Sequence, residues 1–154
     1  MLAFAEARWP TLVHRRRKPL RYLIVLLAIG GIVVSILALR VHYSTETAPC
    51  SINEKWDCGI VNRSPYAEIH GIPVAAIGIA GYLLIALLAL LRRRGLLLVA
   101  VLIGMAFALY LTYIEAKVLG VWCLYCVISQ GIIAALTLLA IGWVVWFAMR
   151  GKTA

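Results

Sequence analysis

Four long runs without a charged side chain limit this chain more than any other feature of its sequence. They cover residues 22–39, 72–91, 95–114 and 118–149, and each ends against Arg or Glu. The first three hold 18, 20 and 20 residues, close to the roughly 20 that an α-helix needs to cross a bilayer core. The fourth holds 32, too many for one straight crossing. Its helix is therefore placed from about Cys123 to residue 149, with residues 118–122 as a short interfacial entry. None of the runs alternates polar and apolar residues with a period of two, which excludes a membrane β-barrel. Gly104 and Ala108, four apart, are small enough to let two helices approach closely. The first run is a poor signal peptide, because no small-residue cleavage site follows it and another apolar run does. The sequence thus predicts an all-α membrane protein, a four-transmembrane-helix bundle over residues 22–149 with one long outer loop, residues 40–71.

Charge orients that bundle. The chain is 64% hydrophobic and 14% charged yet carries a net +9, a balance that suggests nucleic acid until the basic residues are placed. Eleven of the fifteen Lys and Arg fall in the N-terminal segment 1–21, the Arg92-Arg93-Arg94 turn and the tail 150–154. Arg40, Lys55, Arg63 and Lys117 lie on the other side, beside five of the six acidic residues. The positive-inside rule makes both termini and the Arg triplet cytoplasmic, and the inner (cytoplasmic) membrane is the expected location. The basic run His14 to Lys18 then orients the chain and touches anionic lipid, and no nucleic-acid partner is called for.

Under this topology all four cysteines face the outer, oxidising compartment, where disulfides persist. Cys123-Leu124-Tyr125-Cys126 is a C-x-x-C at a helix N-terminus. One helical turn brings its sulfurs together, and the unsatisfied N–H groups there favour a thiolate. Cys50 and Cys58 enclose seven polar-rich residues in the outer loop, so a disulfide between them would close a short, flexible, exposed ring suited to exchange with a partner. Two plainer readings stand beside this one. The cysteines could be structural staples in a membrane scaffold. Alternatively His42, Cys50, Cys58 and His70 could hold zinc, although their spacings are wider than the usual ligand pairs and no metal is predicted. The histidines are otherwise expected where the first two helices meet water.

The functional reading is an electron relay, in which one mobile pair meets a soluble protein and the other meets a lipid-soluble oxidant. Thiol–disulfide exchange between them moves two electrons per cycle. A strongly oxidising periplasmic thiol oxidase has a potential near about −120 mV, so its re-oxidation needs a stronger acceptor. A quinone of the ubiquinone or menaquinone type fits, and no dinucleotide-binding glycine pattern competes with it. Trp122 and Tyr125 flank the reactive pair and belong first to the interfacial aromatic belt, although either ring could wall a quinone pocket. Glu115 and Lys117 are expected in the headgroup region. Asn62-Arg63-Ser64 matches a glycosylation sequon, a short match to which no role is assigned.

These residues resemble the vitamin K epoxide reductase family. The likeness rests on Cys50-x7-Cys58 in the first outer loop, Ser64 six residues further on, and the C-x-x-C opening the fourth helix. Gly71-Ile72-Pro73-Val74 and the run from Tyr110 to Glu115 resemble bacterial members, and the likeness extends over about residues 20 to 148. It implies that Cys126 faces the quinone and that Cys123 forms the active-site disulfide with it. It further implies that Cys58 attacks Cys123, that Cys50 exchanges with a partner, and that Ser64 lies near the quinone. The implied task is re-oxidation of a thioredoxin-fold thiol oxidase, expected to be a separate protein because the chain stops after its fourth helix. The Asn and Tyr that hold the naphthoquinone in vertebrate members correspond to Ala67 and Gln130 here, which favours plain quinone reduction over vitamin K epoxide reduction. In the DsbB family, which does the same work, the C-x-x-C comes first and the wider pair second, opposite to the order here.

Overall fold

A computed structural model describes residues 17–151. The basic run through Arg16 and the C-terminal residues 152–154, Lys152 among them, lie outside it. Four long helices carry the chain: α1 Arg17–Tyr43, α3 Val74–Leu90, α4 Arg94–Tyr113 and α5 Leu124–Gly151. Between α1 and α3 lie the short helix α2, Cys58–Asn62, and a two-stranded hairpin of β1, Glu68–Ile69, and β2, Ile72–Pro73. Three segments are long and apolar enough to cross a membrane, namely Leu20–Tyr43, Arg94–Leu119 and Leu124–Met149. The second expected crossing gives a shorter apolar helix of 17 residues, α3. It loses its first turn because residues 72 and 73 pair as a strand with residues 68 and 69. The two turn residues, His70 and Gly71, both have positive φ, the geometry of a tight hairpin.

The third apolar run does not stop at Glu115. Helix α4 passes into a wider π-helical turn, Ile114–Leu119, which ends at Gly120 in the left-handed conformation, φ 65°. A glycine there stops the helix without the steric penalty of a Cβ. Helix α5 then starts one residue after Cys123, close to the expected position.

The helices pack through one apolar core built from Ile24, Ala28, Tyr82, Ile85, Leu97, Val101 and Leu136. In lipid the drive for such packing is close van der Waals contact rather than escape from water. The small residues therefore matter. A Cβ on Gly31 would lie 2.5 Å from the Tyr82 ring, and one on Gly78 would lie 3.0 Å from the Ser35 hydroxyl. Gly104, singled out from the sequence, meets Ile133 of α5 in the same manner. Leu26, Val33, Leu87, Ile103 and Leu138 are exposed, an apolar surface that suits lipid rather than water. At the end away from the cysteines, the Arg94 guanidinium stacks 3.3 Å over Phe147 and 5.6 Å from the Trp143 ring centre, clamping α4 to α5.

Candidate functional site

The polar loop between α1 and α3 is folded onto the start of α5 by its main chain. Trp122 donates its N–H to the Lys55 carbonyl at 2.8 Å and accepts the Asp57 N–H at 3.1 Å. The Trp56 and Trp122 rings lie 6.3 Å apart above this clasp. Asp57 is also the N-cap of α2: its Oδ1 accepts the Gly59 and Ile60 N–H groups at 2.7 and 3.1 Å and the Ser51 hydroxyl at 2.7 Å. The Ser51 hydrogen bond, with those N–H groups and the Arg63 charge, outweighs burial and holds the Asp57 carboxyl below its ordinary value. Arg63 fastens the other side, donating to the Val41 and Glu46 carbonyls at 3.3 and 2.6 Å.

Capping places Cys58 as the first residue of α2, disulfide-bonded to Cys50 with their Cα atoms 5.7 Å apart. The sequence leads one to expect this ring on the surface. Instead Cys50 is 3% exposed and Cys58 is 0% exposed, because the clasp presses the ring against Val41, Val61 and Cys123. Cys123 is also 0% exposed, and it and Cys126 are free thiols. Asn62 links the pairs: its Nδ2 donates to the Cys58 carbonyl at 2.9 Å and to Cys123 Sγ at 3.3 Å. Cys126 N–H also donates to Cys123 Sγ, at 3.4 Å. Cys123 lies just before the membrane span, and hydrogen bonding by the Cys126 thiol, joined by these two donors, holds its thiol below the ordinary value against burial.

Cys126 faces a cavity of about 120 Å³ between the loop and the four helices. Ser64, Tyr66, Ala67, Glu115, Tyr125 and Gln130 are among its lining residues. Of the residues expected near a cofactor, Ser64 and Tyr125 therefore line this space, with the Ser64 hydroxyl turned back onto the Val61 carbonyl at 2.8 Å. Trp122 does not, since its backbone and ring are engaged by the loop. Ala67 and Gln130, where the sequence departs from vertebrate members of the family it resembles, both line the cavity. An adjoining apolar hollow of about 420 Å³ between α3, α4 and α5 shares Gly78, Phe107, Ala108 and Ser129 with it.

Three residues matter more than their sequence suggests. Asn62 is buried at the junction of the sulfur pairs rather than offered to solvent. Glu115, expected among lipid headgroups, is 3% exposed because the π-helical turn carries it inward; Lys117 stays outside. Its Oε2 accepts the Cys123 N–H at 3.1 Å. His42 lies between the Asn62 carbonyl and the Glu68 carboxylate, 3.1 Å from the latter, and so ties α1 to the loop. Among the described residues no three His, Cys, Asp or Glu side chains converge on a common point suited to a metal. The model of the vitamin K epoxide reductase family matches residues 22–141. That match spans most of the chain and includes the four cysteines and every residue around the cavity, so the protein belongs to the vitamin K epoxide reductase family.

Proposed function

We propose that this protein is a membrane thiol:quinone oxidoreductase that re-oxidises a separate thioredoxin-fold thiol oxidase and so supports disulfide formation. One observation carries the reading: a disulfide and a dithiol are buried against each other, with Asn62 hydrogen-bonded to both Cys58 and Cys123. That relation supports thiol–disulfide exchange between the two couples.

In this proposal all four long helices cross the inner membrane, both termini are cytoplasmic and the cysteines open to the periplasm. The partner thiol enters at Cys50, which is almost fully buried, so the loop around it must move to admit that thiol. Cys58 passes the electrons to Cys123, whose thiolate is favoured by its donors, and Cys126 delivers them into the cavity. The residues there fit a quinone. The lining is mostly apolar, the Tyr125 ring borders it, and the Gln130 side-chain oxygen is buried without a hydrogen-bond partner. An amide in that position can turn its NH₂ toward a carbonyl. A bound quinone would supply a two-electron, two-proton acceptor, held by Gln130, Tyr125 and the residues around Ser64, with the hollow beyond Gly78 open to an apolar tail.

The test uses purified protein, a quinone and a reduced thioredoxin-fold partner. Cys126→Ala abolishes quinone reduction with every donor. Cys58→Ala blocks electrons from the protein partner yet leaves a small dithiol able to drive the reaction through Cys123 and Cys126. Activity retained in Cys126→Ala, or equal loss with both donors in Cys58→Ala, overturns the relay.

A further inference from the structure

Glu115 is a carboxyl group buried within the reacting centre, and the relay as described gives it no task. Its Oε2 takes the Cys123 N–H, its side chain also reaches the Cys126 thiol, and it lines the cavity beside Gln130. The π-helical turn Ile114–Leu119 turns it inward while the neighbouring Lys117 stays exposed. Among the described residues no Lys, Arg or His pairs with it. The titratable groups facing it are Cys123 and Cys126, and the polar side chain across the sulfurs is Asn62.

Proton counting shows what such a group is for. Reducing a quinone takes two electrons and two protons. The reduced pair supplies both electrons, but Cys123, which accepts hydrogen bonds from Asn62 and from the Cys126 N–H, is arranged to stand as a thiolate. Only Cys126 then brings a proton. We propose that Glu115 carries the second proton and delivers it into the cavity as the Cys123–Cys126 disulfide forms; this rests on the thiol:quinone reading above. The balance is one thiolate, one thiol and one carboxylic acid giving one disulfide and one carboxylate, with two electrons and two protons passing to the quinone. The S–H bond of Cys126 and the O–H bond of Glu115 break, and the S–S bond forms. Glu115 regains its proton when the next two electrons arrive from the loop pair. A carboxyl in hydrogen-bond reach of a reacting sulfur is a suitable acid for this, with a contribution of about 10²–10⁴-fold in rate.

Two measurements on the full chain test the role, one of them without quinone. Infrared difference spectra of the reduced, quinone-free protein show a protonated-carboxyl C=O band that is missing in Glu115→Gln. In steady-state assays Glu115→Gln, whose amide oxygen still accepts the Cys123 N–H, loses about 10²–10³-fold in kcat with KM for quinone and Tm near wild type. Glu115→Asp, which keeps an acid, recovers part of the loss and serves if the Gln variant folds poorly. The proposal is overturned by absence of the band from the wild type or by kcat within about threefold of wild type in Glu115→Gln. It is equally overturned by a joint fall of kcat and Tm that Asp does not relieve, which marks a structural role. Wild-type protein that reduces no quinone defeats the oxidoreductase reading instead, and the infrared band still decides separately whether Glu115 holds a proton.

Discussion

The two ends of the molecule are held together by different physics. The helical half is a small-residue interface in which Gly31, Gly78 and Gly104 let side chains of neighbouring helices fill the gaps. The cysteine end has little regular structure, and it is fixed by hydrogen bonds that the Asp57 carboxylate accepts, that Asn62 and Arg63 donate, and that the Trp122 main chain makes. Lipid explains the division. Apolar side chains gain little by leaving lipid for a protein core, so close fit must stabilise the bundle. Sulfur exchange needs loop backbone, and backbone near a membrane must find its hydrogen bonds within the protein.

Substitutions at each end separate the two kinds of stabilisation. The largest effect is expected from Gly31→Leu, where even a Cβ sits 2.5 Å from the Tyr82 ring. Overpacking there costs about 3 kcal/mol, lowers Tm in detergent and leaves the Cys50–Cys58 disulfide formed. Next comes Asn62→Ala, which removes donors to Cys58 and Cys123. It costs about 1–3 kcal/mol and moves the alkylation of Cys123 to higher pH, a shift that no helix-core variant produces. Asp57→Ala removes the α2 cap for about 1 kcal/mol and speeds amide exchange in α2. Because the folded Asp57 pKa is depressed, its stabilisation is present above the unfolded value of about 3.9 and is lost as pH falls through the lower folded one. Unfolding curves for Asp57→Asn should therefore converge with wild type in acid and diverge toward neutrality. The smallest effect belongs to Tyr82→Phe. It removes hydroxyl contacts to the Ser129 carbonyl and hydroxyl at 3.0 and 2.8 Å and costs roughly 0.5 kcal/mol, the low end for a neutral hydrogen bond, without altering thiol reactivity.

The helical half is readable in the sequence because a run of apolar residues bounded by charge is a local signal. The helices begin and end within a few residues of those boundaries. The exception is instructive: the third run ends at Glu115 only if a carboxylate marks the membrane surface. The π-helical turn points that carboxylate inward, and a change of helical pitch over six residues leaves no periodic trace. The cysteines are legible as two couples, but the burial of the loop ring is not. It depends on pairing of residues 55–57 with Trp122, more than 60 positions away in sequence, where neither segment shows strand-like alternation. Asn62 is hidden for the same reason, since its importance comes from a sulfur that lies 61 residues further on. Adjacency to Cys123 suggests Trp122 for the cavity, but the clasp turns it toward the loop.

That clasp has a mechanical consequence. Trp122 immediately precedes one sulfur couple, Asp57 immediately precedes a member of the other, and two main-chain bonds join Trp122 to Asp57 and to Lys55. When the bilayer thins, thickens or bends and α5 tilts, the loop couple is carried along with the couple at the start of that helix, because the clasp ties the loop to Trp122. The gap that electrons must jump is thus insulated from the lipid, and hand-off between the couples should run at the same speed in short-chain and long-chain vesicles.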